Sequence, residues 1–446
     1  MNSERRVVIT GCGVATPLGI GVDRFWDALL AGQTGIAPIR AYDPGGFDST
    51  LGAEVPEFRV RDYVPKTYRK STKVMARDIE LAVVCAYEAV KDASLRTRCL
   101  IERGDMDGPP SVDSTRFGAN IGAGLICADL QELTEALSTS GDSATGAFDL
   151  RAWGNGGMEN LTPLWLLKFL PNMLGCHVTI VHDCQAPSNT ITCGEASGHL
   201  AIGEAYRTIA RGAADVCICG GAESKMNPMG VMRQQLVGRV RCGADDDPGA
   251  AVRPFDPAAD GMVVGEGGGL LILEELEFAR SRGARIYAEV VGFAAATNIT
   301  PRFAPEPDGA GIALAARNAL GDAGVSPGEV DLYVACGTGC NDFDASEAAG
   351  MRAVFGDRRD IAALAIKGAV GNGGAGSGAL DVAAAALAVH HNTIPPSMNT
   401  EHADTRQMLA FVSGDPVDAN VEVALTVGYA LSGSQIAALV LRAVGG

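Results

Sequence analysis

An α/β protein built in two halves is the fold class the sequence predicts, and three observations predict it. The chain has 446 residues, more than one ordinary hydrophobic core organises. Apolar runs of strand length alternate with longer amphipathic stretches on both sides of a seam at Glu274–Gly283. The 57 glycines, with many alanines, point to tightly packed α/β layers with close backbone approaches. The alternation argues a largely parallel sheet in each half. The halves are residues 1–277 and 278–446.

In chain order, Val7-Val8-Ile9-Thr10-Gly11 reads as a buried strand entering a glycine turn. A helix is expected over 23–31, with Phe25, Leu29 and Leu30 inward, and a second over 78–92, with Ala82, Val83, Ala86 and Val90 on one face. Residues 93–115 read as a loop, 116–122 as a strand, and the polar, glycine-rich 138–161 as an excursion. Residues 165–173 form an apolar segment. A short β-like run over 189–193 then meets a helix over 196–210, and a strand at 216–219 runs into Gly220-Gly221-Ala222-Glu223. The second half repeats the pattern. A helix over 310–323 precedes a strand at 332–335, and a helix over 344–355 precedes a strand at 362–366. A glycine-rich turn at 368–376 leads to a helix over 377–390.

Composition excludes several function classes. Hydrophobic residues are 47% and charged residues 20%, which is globular and not disordered. The formal charge of −17 argues against nucleic acid, whose phosphates need clustered Lys and Arg. No run of about 18 apolar residues marks a membrane span. Met1–Arg6 leads straight into a strand, so no signal peptide is read and a cytoplasmic location with reduced thiols is expected. The 12 cysteines lack metal-site spacing. No metal or cofactor is expected.

Three short runs carry the functional signal: Thr192-Cys193-Gly194-Glu195-Ala196-Ser197-Gly198, Cys336-Gly337-Thr338-Gly339-Cys340, and Lys367-Gly368-Ala369-Val370-Gly371-Asn372. At these runs the chain resembles the β-ketoacyl-acyl-carrier-protein synthases, condensing enzymes of the thiolase fold. Further matches are Arg6-Val7-Val8-Ile9-Thr10-Gly11 with Thr16-Pro17-Leu18-Gly19, Arg253-Pro254-Phe255-Asp256 with Asp260-Gly261, Gly265-Glu266-Gly267, and Gly220-Gly221-Ala222-Glu223-Ser224. Asp344, Glu347, Ile394-Pro395-Pro396 and Gly433-Ser434 fit as well. The resemblance spans nearly the whole chain. It implies a thiolase-like fold of five layers, αβαβα, from two related halves, and a dimer.

It also implies a chemistry: acyl transfer to cysteine, decarboxylation of a malonyl thioester, then Claisen condensation. A cysteine at a helix N-terminus has a lowered pKa and attacks thioesters readily. Two histidines polarise the malonyl carbonyl and stabilise the enolate. In this chain all three places are changed. The run Ala196 to Gly203 sets the nucleophile place seven residues before Ile202, at Glu195. Cys193 falls two residues early, on the strand side of the elbow. Cys336 takes the first histidine place and Asn372 the second, while Lys367 and Asp381 match the family's lysine and its acidic partner. Histidines 177, 182, 199, 390, 391 and 402 all lie outside these motifs.

Each site residue has two readings. Glu195 is a poor nucleophile whose thioester product would be a high-energy anhydride; it either caps the helix that it opens or attacks a thioester. Cys336 is a buried thiol or a displaced nucleophile. Asn372 donates one hydrogen bond but transfers no proton at neutral pH. Lys367–Asp381 is a relic bracing the turn or a functional pair. The basic cluster Lys66, Arg69, Lys70, Lys73 and Arg77 lies where the family docks its acidic carrier protein, with Lys66, Arg69 and Lys70 as the expected contacts; the other reading is a solvated face. Leu431 stands near the family's aromatic gate, and the pocket behind it is expected to be apolar, with few polar anchors.

The resulting expectation is a ketosynthase-fold subunit of fatty-acid or polyketide biosynthesis without condensing activity of its own. It resembles the chain-length factors, cysteine-less relatives that pair with an active ketosynthase. The alternatives are an active β-ketoacyl synthase or acyltransferase with a rebuilt centre, a thioester transferase or hydrolase with Glu195 as nucleophile, and an acyl-binding scaffold. The expected assembly is a homodimer or a heterodimer with an active ketosynthase.

Overall fold

A computed structural model describes residues 5–142, 144–242, 247–300, 304–358, 361–403 and 409–445. Met1–Glu4, read above as leading into the first strand, lie outside the described residues. The first half contributes five strands to the main sheet: β1 (Val7–Thr16), β2 (Phe117–Ala123), β3 (Ser188–Ile191), β4 (Val216–Ser224) and β5 (Glu266–Glu275). The second half contributes six: β6 (Ala288–Thr297), β7 (Leu332–Val334), β8 (Ile361–Leu364), β9 (Leu409–Phe411), β10 (Val423–Tyr429) and β11 (Gln435–Arg442). Gly19–Ile20 adds a short return strand on β1, making twelve strands in one sheet among the described residues.

The strand order is β9-β8-β7-β10-β11-β6-β1-β5-β4-β2-β3. From the centre outward the first half reads β1-β5-β4-β2-β3 and the second β6-β11-β10-β7-β8, with β9 added at the edge. The two halves thus share one topology. They join where Val7–Ile9 pairs antiparallel with Ala288–Val290. Only the outer strands of each half run parallel, for β5 is antiparallel to both β1 and β4, and β11 to both β6 and β10. The largely parallel sheets expected from sequence are therefore mixed sheets. Strands buried on both faces read as the same continuous apolar runs in either direction.

Six helices matter for the layers: α1 (Arg77–Asp92), α2 (Asn172–His182), α3 (Ser197–Ala210), α4 (Ala310–Ala323), α5 (Asn341–Phe355) and α6 (Ser377–His391). α1 and α2 cover the outer face of the first half-sheet, and α4 and α5 that of the second. α3 and α6 pack on each other between the half-sheets, completing five layers. Small residues let these layers approach closely. A Cβ on Gly198 of α3 would meet the Ala379 amide of α6 at 2.7 Å, and one on Gly13 of β1 would enter the Ala89 and Cys85 backbone of α1. α6 is buried from Ser377 to Val389, which its Ala-rich sequence permits.

Some local expectations needed correction. The loop read over 93–115 holds the helix Arg98–Arg103, which buries Cys99 and Leu100. The excursion over 138–161 contains the helix Leu150–Asn155 and a 3-10 turn at Gly157–Asn160, and the helix Leu130–Ser138 precedes it. No helix among the described residues is long and apolar enough to cross a membrane.

Candidate functional site

The elbow that carries Glu195 follows the end of β3. Gly194 turns the chain with a φ of +56°, a left-handed conformation that glycine adopts without strain. One 3-10 turn, Gly194–Ala196, then opens α3. Neither the 3-10 turn nor α3 receives a side-chain cap at this end, and the Cys193 N–H ahead of them donates to the Ser197 hydroxyl at 2.8 Å. The helix-cap reading of Glu195 is thus corrected. Its carboxylate instead bonds Lys225 and, across the interface between halves, the Leu431 backbone. Oε1 accepts a hydrogen bond from Lys225 Nζ at 3.0 Å, and Oε2 accepts the Leu431 N–H at 2.9 Å. Burial alone would push the Glu195 carboxyl up, but Lys225 and the Leu431 amide outweigh it and hold it below the ordinary glutamate value. Burial likewise opposes the charge on Lys225, and Glu195 and Glu223 overcome it and raise the ammonium. The pair is ionised at neutral pH, with Glu195 only 5% and Lys225 8% exposed.

Lys225 also lies 4.0 Å from Glu223 Oε1. Glu223 Oε2 accepts the Ala375 N–H at 2.7 Å, and burial raises its pKa. Glycines at 124 and 374 make room for this carboxylate, since a Cβ at either would overlap it. A cavity of about 290 Å³ opens above the pair, lined among others by Thr192, Glu195, Glu223, Lys225, Arg233 and Ser432. This cavity is lined largely by charged and polar groups, unlike the apolar pocket that the resemblance implies. Leu431 itself is fully buried, and its backbone rather than its side chain makes the contact with Glu195.

The other two motifs meet at the same interface. Cys336 follows β7, buried to 2% exposure. Its N–H donates to Glu347 Oε1 at 2.9 Å, and Glu347 also accepts from Gly337 N–H, Tyr333 OH and Tyr429 OH. Burial pushes the Cys336 thiol well up, and Lys367 only partly opposes it, so the group stays a neutral thiol. The geometry fits the buried-thiol reading and not the displaced nucleophile. Cys193 is half-buried, with its pKa also raised by burial.

Asn372 spends both ends of its amide locally. Oδ1 accepts the Gly374 N–H at 2.9 Å, and Nδ2 lies 3.1 Å from the Met262 sulfur. Met262 is fully buried and fills the space beside the asparagine. Lys367 and Asp381 form a buried pair at 2.5 and 2.6 Å. Burial pushes Asp381 up to about 6 against the pull of Lys367, and Asp381 overcomes burial to hold Lys367 above its ordinary value. No histidine takes part. His199, next along α3, bonds Thr426 and is driven down to about 3 by burial and then by Lys367.

Five sequence-derived residues are therefore brought to one interface in two groups. Glu195 connects through Lys225 and Glu223 to the turn holding Asn372, and through Leu431 to the strand end whose Tyr429 meets the Glu347 carboxylate beside Cys336. Lys225, Glu223 and Met262 were not singled out from sequence. A lysine directly after the buried strand β4, in Ala222-Glu223-Ser224-Lys225-Met226, is the signal that could have found the first. The basic cluster is only partly what sequence suggested. Lys66, Arg69 and Lys70 are exposed on and beside short 3-10 turns, but Arg77 is bonded to Glu266 at 3.0 and 2.7 Å and stacks over Phe58.

Comparisons with known proteins agree with this architecture. Residues 4–279 match the Beta-ketoacyl synthase N-terminal domain, and residues 287–401 match its C-terminal domain. The chain is 32% identical to 3-oxoacyl-acyl-carrier-protein synthase 2 of Coxiella burnetii, over 97% of each chain. It is also 32% identical to the tetracenomycin polyketide synthase ketoacyl synthase alpha subunit of Streptomyces glaucescens, over 99% of this chain and 98% of the relative. Among solved structures, the ishigamide ketosynthase/chain length factor superposes with a TM-score of 0.82 at 30% identity, covering 99% of this chain and 100% of that one. A type II PKS ketosynthase in complex with its acyl-carrier protein gives 0.83 at 27%, covering 99% and 100%. On the fold, the two matched domains and these full-length relatives, the chain belongs to the β-ketoacyl synthase family of fatty-acid and polyketide synthesis.

Proposed function

We propose that this chain is a non-condensing, chain-length-factor-like subunit that works beside a cysteine-bearing ketosynthase. The observation that carries the reading is the state of Glu195. At the nucleophile place stands an ionised carboxylate with one oxygen on Lys225 and the other on the Leu431 amide. Both oxygens are held by donors, and Lys225 stabilises their charge, which weakens the carboxylate as a nucleophile and speaks against the Glu195-nucleophile alternative. The two histidine places support the same reading, since a neutral buried thiol and an amide engaged with Met262 provide no electrophilic pair for a malonyl carbonyl. The roles of Glu195, Cys336, Asn372, Lys367 and Asp381 in this reading are structural. The division at 277/278 belongs to it too, supported by the repeated strand order.

A heterodimer with a cysteine-bearing partner follows from the missing chemistry, and Lys66, Arg69 and Lys70 are the proposed contacts for an acidic carrier protein. The test is to incubate the purified chain with acyl and malonyl carrier-protein thioesters, alone and with a cysteine-bearing ketosynthase, and to measure β-ketoacyl product by mass spectrometry. Product is expected only with the partner. Turnover by the isolated chain at ordinary enzyme rates, about 1 per second or more, refutes the proposal.

A further inference from the structure

We infer that Lys225 and Glu195 form a latch that holds the 430–434 turn closed and limits the site to groups small enough for the cavity above the pair. The inference rests on the proposed function, because it explains what the carboxylate does where chemistry has been removed. Three features support it.

First, the contact joins the two halves. Glu195 opens α3 in the first half, and Leu431 lies in the turn between β10 and β11 of the second. The accepted N–H is that of the turn's own backbone, so the bond restrains the turn whatever the side chain at 431 does.

Second, Lys225 sets the carboxylate's direction. Its ammonium takes Oε1, which leaves Oε2 for the turn. The lysine is itself fixed: its backbone N–H donates to Gly265 O at 3.3 Å, its carbonyl accepts the Asn227 N–H at 2.9 Å, and the Gly230 backbone lies so close that a Cβ there would meet the Lys225 carbonyl at 2.6 Å. Lys225 is a positioning residue acting through Glu195.

Third, the turn's other hydrogen bonds lie within the second half, among them the Asn298 N–H to Ser434 O at 2.7 Å. Within it the Gly433 N–H donates to Ala430 O, and the Ala430 N–H to Gln435 O, both at 2.8 Å. These bonds shape the turn but do not tie it to the first half. Behind it lie the buried Leu431 side chain and Tyr429, whose hydroxyl meets Glu347. An acyl chain that reached this interior would have to displace the turn. A polar group that fits about 290 Å³ would not.

The experiment compares backbone hydrogen exchange of peptides covering 427–435 in the wild-type chain, Lys225→Met, Glu195→Gln and Glu195→Ala, with β1 peptides as internal reference. Loss of a hydrogen bond to a charged group predicts about 10- to 100-fold faster exchange at the turn in Glu195→Ala. Lys225→Met is expected in the same direction and Glu195→Gln to be smaller, because the amide oxygen still accepts from Leu431. The same variants are titrated with a non-hydrolysable hexanoyl-pantetheine, which should bind Glu195→Ala at least about tenfold more tightly than wild type.

Unchanged turn exchange in the folded Glu195→Ala and Lys225→Met proteins overturns the latch. Faster exchange without tighter acyl binding overturns the size limit. If Glu195→Ala does not fold, Glu195→Gln and Lys225→Met carry the same comparison. The exchange readout does not depend on whether the isolated chain condenses thioesters, so failure here is distinct from failure of the proposed function.

Discussion

Replacing Lys225 with methionine removes the charge but keeps an apolar stem of similar length, and it strands the Glu195 carboxylate. At 3.0 Å the two charges attract by about 5 kcal/mol for an effective dielectric of roughly 20. Much of that offsets the desolvation of two groups that are each under a tenth exposed. Breaking such a pair from one side leaves a buried charge, a loss of about 3–5 kcal/mol. Because the cavity above the pair gives water access to the stranded carboxylate, the low end, about 3 kcal/mol, is expected for Lys225→Met. Glu195→Gln should lose less, about 1–2 kcal/mol, since the amide keeps one acceptor for the turn. The double variant should recover about 2 kcal/mol relative to the sum of the single changes, which is the coupling that a cycle isolates. For a chain of 446 residues unfolding as one unit, the entropy near the midpoint is about 0.9 kcal/mol/K, so 3 kcal/mol appears as a Tm shift of only about 3 °C. Urea titration with an unchanged m-value is therefore the better assay. A Lys225→Met loss below about 1 kcal/mol, or additive single changes, would refute the ion-pair argument.

Three further outcomes follow from other parts of the molecule. Asp78 is pushed up to about 8, first by burial and then by Glu223. Between the unfolded value of about 4 and pH 8 the folded state therefore holds a proton that the unfolded chain has lost, and stability should fall as pH rises through that window, by up to about 1.4 kcal/mol per unit. Asp78→Asn, which keeps the Ser224 contact, should flatten that slope in urea titrations at pH 5 to 8; an unchanged slope contradicts the assignment. Asn372→His should overpack against Met262 and lose about 1–3 kcal/mol, relieved by adding Met262→Ala, and thermal melts of the two variants check this. Changing Lys66, Arg69 and Lys70 to Glu should weaken binding of an acidic carrier protein and flatten its salt dependence, measured by calorimetry, while stability moves by no more than about 0.5 kcal/mol.

The sequence was most legible where one pattern served one purpose. Helix α1 was read over 78–92 because its apolar stripe repeats for four turns, and α3 was read to its last residue for the same reason. Short helices escaped. Leu150–Asn155 is too brief to show a period, although Asp149 opens it by accepting the Arg151 N–H, and Asp129 does the same for Leu130–Ser138. Strand direction escaped as well, because Val7–Thr16 is buried on both faces and carries no alternation. At the site, the changed residues were visible but their partners were not. Glu195 lies 30 residues from Lys225 and 236 from Leu431, and the second contact is to a backbone amide that no side-chain pattern encodes. The cap reading followed a local rule at a helix end that carries no side-chain cap in the structure.

The place of β1 at the middle of the sheet has a consequence for synthesis. Among the described residues, and apart from the two-residue return strand at Gly19–Ile20, Val7–Thr16 pairs only with β5 and β6, whose residues begin at 266 and 288. At roughly 5–20 residues per second, a ribosome needs on the order of 12–50 seconds to make the first of those partners after finishing β1. Throughout that interval a ten-residue strand, wholly buried in the finished protein, is without its partners except at Ala15 and Thr16. The nascent chain must therefore shelter its own first strand, through α1 packing on it early or through a holding chaperone.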